Sequence, residues 1–421
     1  MKVLISAYSC EPGRGSEPGV GWNVAVEAAK HNQVWVLTRP DESGDKIAAA
    51  LAKEPIPNLQ FVYFNLPLIG SLWRFGSTGA MQAHYYLWQI QAYFVAKRLH
   101  QEINFDVIHH VTFVKYSNPS FLALLDLPFV WGPVGGGESA PSTFWQDFGW
   151  RSRLYELARA TVRSIGERDP FVKVTAQRSA AVRATTADTA DRLHRMGINQ
   201  VDILPEAGLA SSDIDRLAEF TLPVATLDQP IRFISMGRLL HWKGFYLAVR
   251  AFAAANLTNA EYWLFGEGTD QPRLEAMATE LGVADRIKFW GRQPRDLTLA
   301  HLGQCHVLVH PSLHDSGGWV CLEAMAAGRP VICLDLGGPA VQVTPATGCK
   351  IPAHNPEQVV QDMAAAMVKL ANDPELRSQM GEAGKALIKS HHSWEIKGKE
   401  LAQLYADVAK QYQAKSGQNA S

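Results

Sequence analysis

Cysteine is scarce in this chain of 421 residues: Cys10, Cys305, Cys321, Cys333 and Cys349 are an odd set with no CxxC spacing, mostly in apolar runs. That argues against a disulfide framework and for a reducing compartment. HEXXH is absent and no cysteine–histidine cluster has ligand spacing, so no built-in metal is expected. An excess of one charge is missing too. Forty Lys and Arg against 41 Asp and Glu leave a formal charge of −1, which argues against a general nucleic-acid binder. No stretch reaches the eighteen or so uncharged apolar residues of a membrane span, and the apolar start before Glu11 is too brief for a signal-peptide core. A cytoplasmic protein is expected, with no resident cofactor.

What is present is apolar material in an ordered rhythm. Hydrophobic residues make up 47% of the chain, enough for two domains with full cores. Apolar runs at Val3–Ser6, Val34–Leu37, Leu59–Phe64, Val107–Val111 and Phe129–Trp131 alternate with helix-like segments, and a second series runs through Ile231–Met236, Glu261–Phe265, Ile287–Trp290, Val307–His310 and Val331–Leu334. The pattern predicts an α/β protein of two Rossmann-like, doubly wound parallel-sheet domains facing each other across a cleft. The boundary is placed at 205/206, with Glu206 to Pro230, including Pro223, as a linker and 206–395 as the second domain. A last helix, Ile396 to Tyr412, carries Leu401, Leu404, Tyr405, Val408 and Tyr412 on one face and must pack on something.

In such folds ligands bind beyond the carboxyl ends of strands, and the informative loops lie there. In PSLHDSGGWVCLEAMAAGRP, Asp315 and Glu323, with seven residues between them, stand around a glycine-opened helix start predicted over Trp319 to Ala327. Ser316, Gly317 and Gly318 are expected to offer free backbone N–H groups to a diphosphate at the positive end of that helix. Glu323 would accept hydrogen bonds from ribose hydroxyls. A capped, solvated connection is the plainer alternative for this loop alone. In ISMGRLLHWKG, Arg238 and Lys243 follow a strand, with Gly237 and Gly244 beside them, and two cations there would neutralise a diphosphate. Gly266, in FGEG, and Trp290-Gly291 end the next two strands and would flank a flat base, although an aromatic at such a place is more often core.

In the first half, EPGRGSEPGVGWN follows the first strand, with Gly19 among its glycines and a helix expected from about Trp22. The second strand ends at Thr38-Arg39 with no acid for a ribose, which disfavours a nicotinamide dehydrogenase. His109-His110 end the fourth strand, where alternation sends only one toward the cleft. Gly135, Gly136 and Gly137, before Glu138, are expected to meet a ligand. Asp213-Ile214-Asp215 reads as a solvated turn in the linker. Between Arg151 and Arg195 ten basic residues face five acidic ones; amphipathic helices packed on a core are the first reading, a membrane-surface or acceptor face the second.

Together these loops resemble the GT-B retaining glycosyltransferases of family four, the group 1 type, nearly end to end. GRLLHWKG is similar to that family's Arg–Lys diphosphate motif and DSGGWVCLE to its E-x7-E motif. The resemblance implies that Arg238 and Lys243 hold the diphosphate, that Gly317, Gly318, Trp319 and Val320 bind phosphate and sugar through the backbone, and that Glu323 binds the ribose. Asp315 stands where the family has Glu. Val111 stands where many members have the second histidine of His-x-His, leaving His109 and His110 as candidates for the donor sugar. The final helix is implied to return to the first domain. The expected activity is metal-independent transfer of a sugar from a nucleotide sugar donor to an unidentified hydroxyl acceptor, a polysaccharide, lipid or small glycoside. A nucleotide-sugar epimerase or hydrolase and a silent nucleotide-sugar-binding protein are the alternatives. Peripheral contact with the inner membrane face is a secondary expectation.

Overall fold

The computed structural model describes residues 1–40, 43–66, 78–220 and 229–419. Two compact units emerge, one of Met1–Gly137, Ala160–Glu206 and Trp394–Ser421, the other of Glu138–Arg159 and Ala207–Ser393. The segment Glu138–Arg159 falls in the second unit although the sequence reading placed it in the first. Its Ala140, Phe144 and Phe148 are buried in the second unit's core, and burying two phenylalanines outweighs chain proximity.

The first unit is a seven-stranded parallel sheet of β1 (Lys2–Ala7), β2 (Gln33–Thr38), β3 (Leu59–Tyr63), β4 (Val107–Thr112), β5 (Phe129–Val134), β6 (Ser179–Ala184) and β7 (Asp202–Ile203), in the order β3-β2-β1-β4-β5-β6-β7. The second has β8 (Ile231–Met236), β9 (Ala260–Phe265), β10 (Ile287–Gly291), β11 (Val307–His310), β12 (Val331–Leu334) and β13 (Gly348–Ile351), ordered β10-β9-β8-β11-β12-β13. Both orders reverse direction beside the first strand of their unit, which defines the doubly wound fold. In the second unit Phe233, Val307 and Val309 join one buried cluster while Ile234, Met236 and Leu308 join another. Alternate residues thus fill both faces, so these strands read as unbroken apolar runs.

The helix expected from about Trp22 begins earlier, at Ser16, and runs to Ala29. A Cβ on Gly19 would lie 1.9 Å from the Arg14 carbonyl oxygen, and one on Gly21 2.3 Å from that of Ser9. These glycines permit close packing within a helix rather than forming a loop. The presumed linker also holds a helix, Ser211–Ala218, so Asp213-Ile214-Asp215 is helical, not a turn; Pro223 lies outside the described residues. The last helix spans Trp394–Asn419 and buries Leu401, Tyr405 and Val408 within the first unit.

Candidate functional site

The strand order of the second unit puts its switch point between β8 and β11, and the segments leaving their carboxyl ends carry the charged motifs. After β8, a short turn at His241–Lys243 ends at Gly244 with φ 66°. A Cβ there would meet the Pro311 carbonyl oxygen at 2.0 Å, so only glycine lets the two segments approach this closely. Lys243 Nζ then donates to Asp315 Oδ2 at 2.5 Å, and His310 Nε2 lies 3.2 Å from the same oxygen. Burial alone would raise the Asp315 pKa, but Lys243 and His310 hold it well below the usual carboxylate range. Burial lowers that of His310, against the pull of Asp315.

The other oxygen of Asp315 faces the glycines. Oδ1 lies 3.3 Å from the Gly317 N and 3.4 Å from the Gly318 N, accepting from both. The N–H groups expected to be free for a phosphate are therefore turned toward a carboxylate of their own loop, as Asp commonly does with backbone two or three residues on. Gly318, with φ 54°, precedes the helix Trp319–Ala326. Glu323 is not bare either: its Oε1 accepts from Arg295 Nη2 at 2.9 Å and Nε at 3.2 Å, and Arg295 Nη2 also reaches Asp213 Oδ2 at 3.2 Å. Burial raises the Glu323 pKa and Arg295 opposes it.

Arg238 is exposed and, among the described residues, has no carboxylate partner. It lines a cavity of about 590 Å³ with Gly237, Phe265, Gly266, Glu267 and Arg292. Gly237 N donates to the Phe265 carbonyl at 2.9 Å and Gly266 N to that of Gly291 at 2.8 Å. A Cβ on Gly266 would sit 1.9 Å from the Gly237 oxygen, so the floor of the cavity is bare backbone. Trp290 does not line it; its ring stacks on Phe265 at 5.4 Å and packs against the core. The structure thus joins Lys243 to Asp315 and Glu323 to Arg295, and sets Arg238 on the wall of a glycine-floored cavity.

Two groups were invisible in the sequence reading. Buried Glu156 Oε1 lies 3.1 Å from His241 Nε2 and 3.4 Å from His314 Nε2, so one carboxylate joins the segment before Lys243 to the segment before Asp315. Burial would raise its pKa, yet the two histidines hold it at about 2. Gly337 and Gly338 are the second group: Gly338 N donates to the Asp315 carbonyl at 2.7 Å, and Gln342 Nε2 to that of Gly317 at 2.5 Å. The run LGGP after β12 was the available signal.

In the first unit, the candidate histidines are seated in the core on opposite faces of β4. His109 Nδ1 lies 2.6 Å from Tyr405 Oη and its Nε2 2.6 Å from the Gly132 carbonyl oxygen. His110 Nε2 lies 3.1 Å from Tyr85 Oη and 3.2 Å from Gln89 Nε2. Burial brings them to about 4 and about 3 respectively, so both are neutral at pH 7. Packing accounts for part of the glycine run: a Cβ on Gly137 would lie 2.4 Å from Thr189 Cα, Gly136 has φ 89°, and Gly135 N donates to the Val114 carbonyl. Glu138 is buried.

Residues 223–387 match the family described as glycosyl transferases group 1. The lipopolysaccharide core biosynthesis glycosyltransferase LpsD of Rhizobium meliloti is 29% identical over 212 residues, 47% of this chain and 57% of that protein. The chain spans little more than half the length of such curated relatives, 57% and 55% for two of them. Among solved structures, sucrose-phosphate synthase from Thermosynechococcus elongatus has a TM-score of 0.62 at 18% identity, covering 97% of this chain and 98% of that one. HepE of Anabaena, in complex with UDP-glucose, has a TM-score of 0.55 at 16% identity, covering 97% and 100%. At these identities the likeness is one of fold, the GT-B fold expected from the loops.

Proposed function

We propose that this chain is a glycosyltransferase of the group 1 type, retaining and metal-independent, that moves a sugar from a nucleoside-diphosphate sugar to a hydroxyl acceptor. The observation that carries the reading is the Lys243–Asp315 pair at the switch point of the second unit, beside a glycine-floored cavity walled by Arg238. The bond from the anomeric carbon to the diphosphate oxygen breaks and its electron pair leaves with the diphosphate. Cations aimed at that oxygen stabilise the developing charge, the role a divalent ion fills elsewhere. The acceptor oxygen bonds to the anomeric carbon on the face the leaving group departs from, and its proton passes to the departing diphosphate. Retention rests on the family resemblance.

HepE shares the fold and is held with UDP-glucose, so uridine diphosphate sugars head the list of donors to test. The decisive experiment is a panel of UDP-, GDP- and ADP-sugars, with release of nucleoside diphosphate measured in the presence and absence of hydroxyl acceptors. Release that depends on an acceptor supports transfer. Release or epimerisation with donor alone supports a hydrolase or epimerase, and calorimetric binding without turnover supports a silent binder. Absence of binding to every donor overturns the reading.

A further inference from the structure

A lysine sits in the apolar stripe of the last helix. Trp394, Lys397, Leu401, Tyr405 and Val408 follow the i, i+3, i+7, i+11, i+14 spacing of one core-facing stripe, and Lys397 is 5% exposed, as deeply seated as Trp394 at 4% and Leu401 at 7%. Lysine is almost never buried in this way unless it is paired. Its Nζ donates to the Pro205 carbonyl oxygen at 2.6 Å, a neutral partner that takes up one of three ammonium donors. Among the described residues no carboxylate stands within ion-pair distance of it.

A second cation meets the same space. In β6, Val182 and Ala184 join the first unit's core while Arg183 between them points to the other face. There Arg183 and Lys397 line one cavity of about 40 Å³ with Val20, Val24, Leu401 and Trp394, and every residue of its wall belongs to the first unit. Arg183 Nε and Nη1 are shut off from solvent and have no hydrogen-bond partner, so two charged donors are left over. The other titratable groups on the wall are His109, which burial brings to about 4, and half-buried Glu206. Burial lowers the Lys397 pKa to about 8, Arg183 acting with it and Glu400 and Glu206 against it, so Lys397 is mostly charged at pH 7. Two cations and one carboxylate leave a single positive charge around a space walled largely by apolar side chains, where an uncompensated charge is costly. Water solvates such a charge without cancelling it.

We propose that this cavity binds one small monovalent anion of halide size, held by Arg183 Nε and Nη1 and by Lys397 between β6 and the last helix. The volume exceeds the roughly 10–15 Å³ that one water takes up and falls far short of the about 300–1,000 Å³ of a substrate pocket, which excludes a nucleotide or a sugar. The site goes beyond sugar transfer and does not depend on the donor. An ion bound only by the folded chain stabilises it by mass action, so replacing sodium gluconate with sodium chloride at equal ionic strength should raise the melting temperature of the full chain by about 2–4 °C once chloride is about tenfold above its dissociation constant. Crystals grown in sodium bromide should show anomalous density in the cavity, within hydrogen-bond reach of Arg183 and Lys397. Arg183→Met should abolish the chloride-dependent rise, and Lys410→Met, which removes an exposed cation of the same helix, should keep it. The bromide measurement is made on the parent chain and decides the matter even where Arg183→Met fails to fold. A cavity without anomalous density at saturating bromide, an equal chloride-dependent rise in Arg183→Met, or density without any such rise in the parent, which would mark an adventitious ion only, would each overturn the proposal.

Discussion

Lys243 Nζ sits 2.5 Å from Asp315 Oδ2, so one ion pair fastens the segment leaving β8 to the segment leaving β11. On the proposed function a diphosphate arriving there would meet a cation already fixed in place, and a preorganised charge is worth more in the transition state than one that must be recruited. Lys243→Ala should lower kcat by roughly 10² to 10³ with any donor the protein turns over. Steady-state release of nucleoside diphosphate checks this, and turnover close to the parent would remove Lys243 from the chemistry.

Arg295 is the cation of Glu323, with side-chain exposures of 43% and 11% respectively. Arg295→Ala leaves a buried carboxylate without its partner, a change that costs about 3–5 kcal/mol for a fully buried pair and less where one member reaches water. A loss of about 1–2 kcal/mol is therefore expected in urea unfolding. Removing Glu323 as well, in Arg295→Ala/Glu323→Ala, should recover part of it. A single variant as stable as the parent would show that the pair contributes nothing.

The sheet of the second unit was legible because parallel strands buried on both faces are written as unbroken apolar runs, as in Ile231–Met236 and Val307–His310. Strands of other composition escaped: SAAVRA in β6 offers alanines and an arginine, and GCKI in β13 is too short and polar to stand out. The motif residues Lys243 and Asp315 were legible by their place at strand ends. The carboxylate that joins their two segments was not, because a side chain 85 residues before its histidine, as Glu156 is before His241, leaves no local pattern. The direction of the Asp315 carboxylate was also hidden; composition shows glycines and an acid but not that the acid turns back upon them.

His109 should write its burial into the pH dependence of stability. Burial lowers its folded pKa to about 4, while an unfolded histidine titrates near 6.5. As pH falls from 6.5, the unfolded chain takes up a proton that the folded chain refuses, so stability is lost down to about 4. The full effect of this one group is roughly 3 kcal/mol. Urea unfolding at several pH values between 7 and 4 should show a slope for the parent steeper than for His109→Gln by up to about 1.4 kcal/mol per pH unit, one proton's worth. Coincident slopes would mean that His109 does not stay neutral in the fold.

Gly338 bears on the same loop as Lys243 but from behind. A Cβ placed there would lie 2.2 Å from the Ser316 carbonyl oxygen and 2.8 Å from its carbon, and both atoms are backbone, so the loop itself must shift. Its N–H also donates to the Asp315 carbonyl, which ties any displacement to the carboxylate that faces Lys243. Overpacking of this kind costs about 1–3 kcal/mol, so Gly338→Ala should lower the melting temperature and raise the KM for the donor together. Gly44→Ala, where an added Cβ meets nothing within 4 Å, should change neither by much. If Gly338→Ala melts lower but keeps the parent's KM, the position of Asp315 does not govern donor binding, and the Gly337-Gly338 turn serves stability alone.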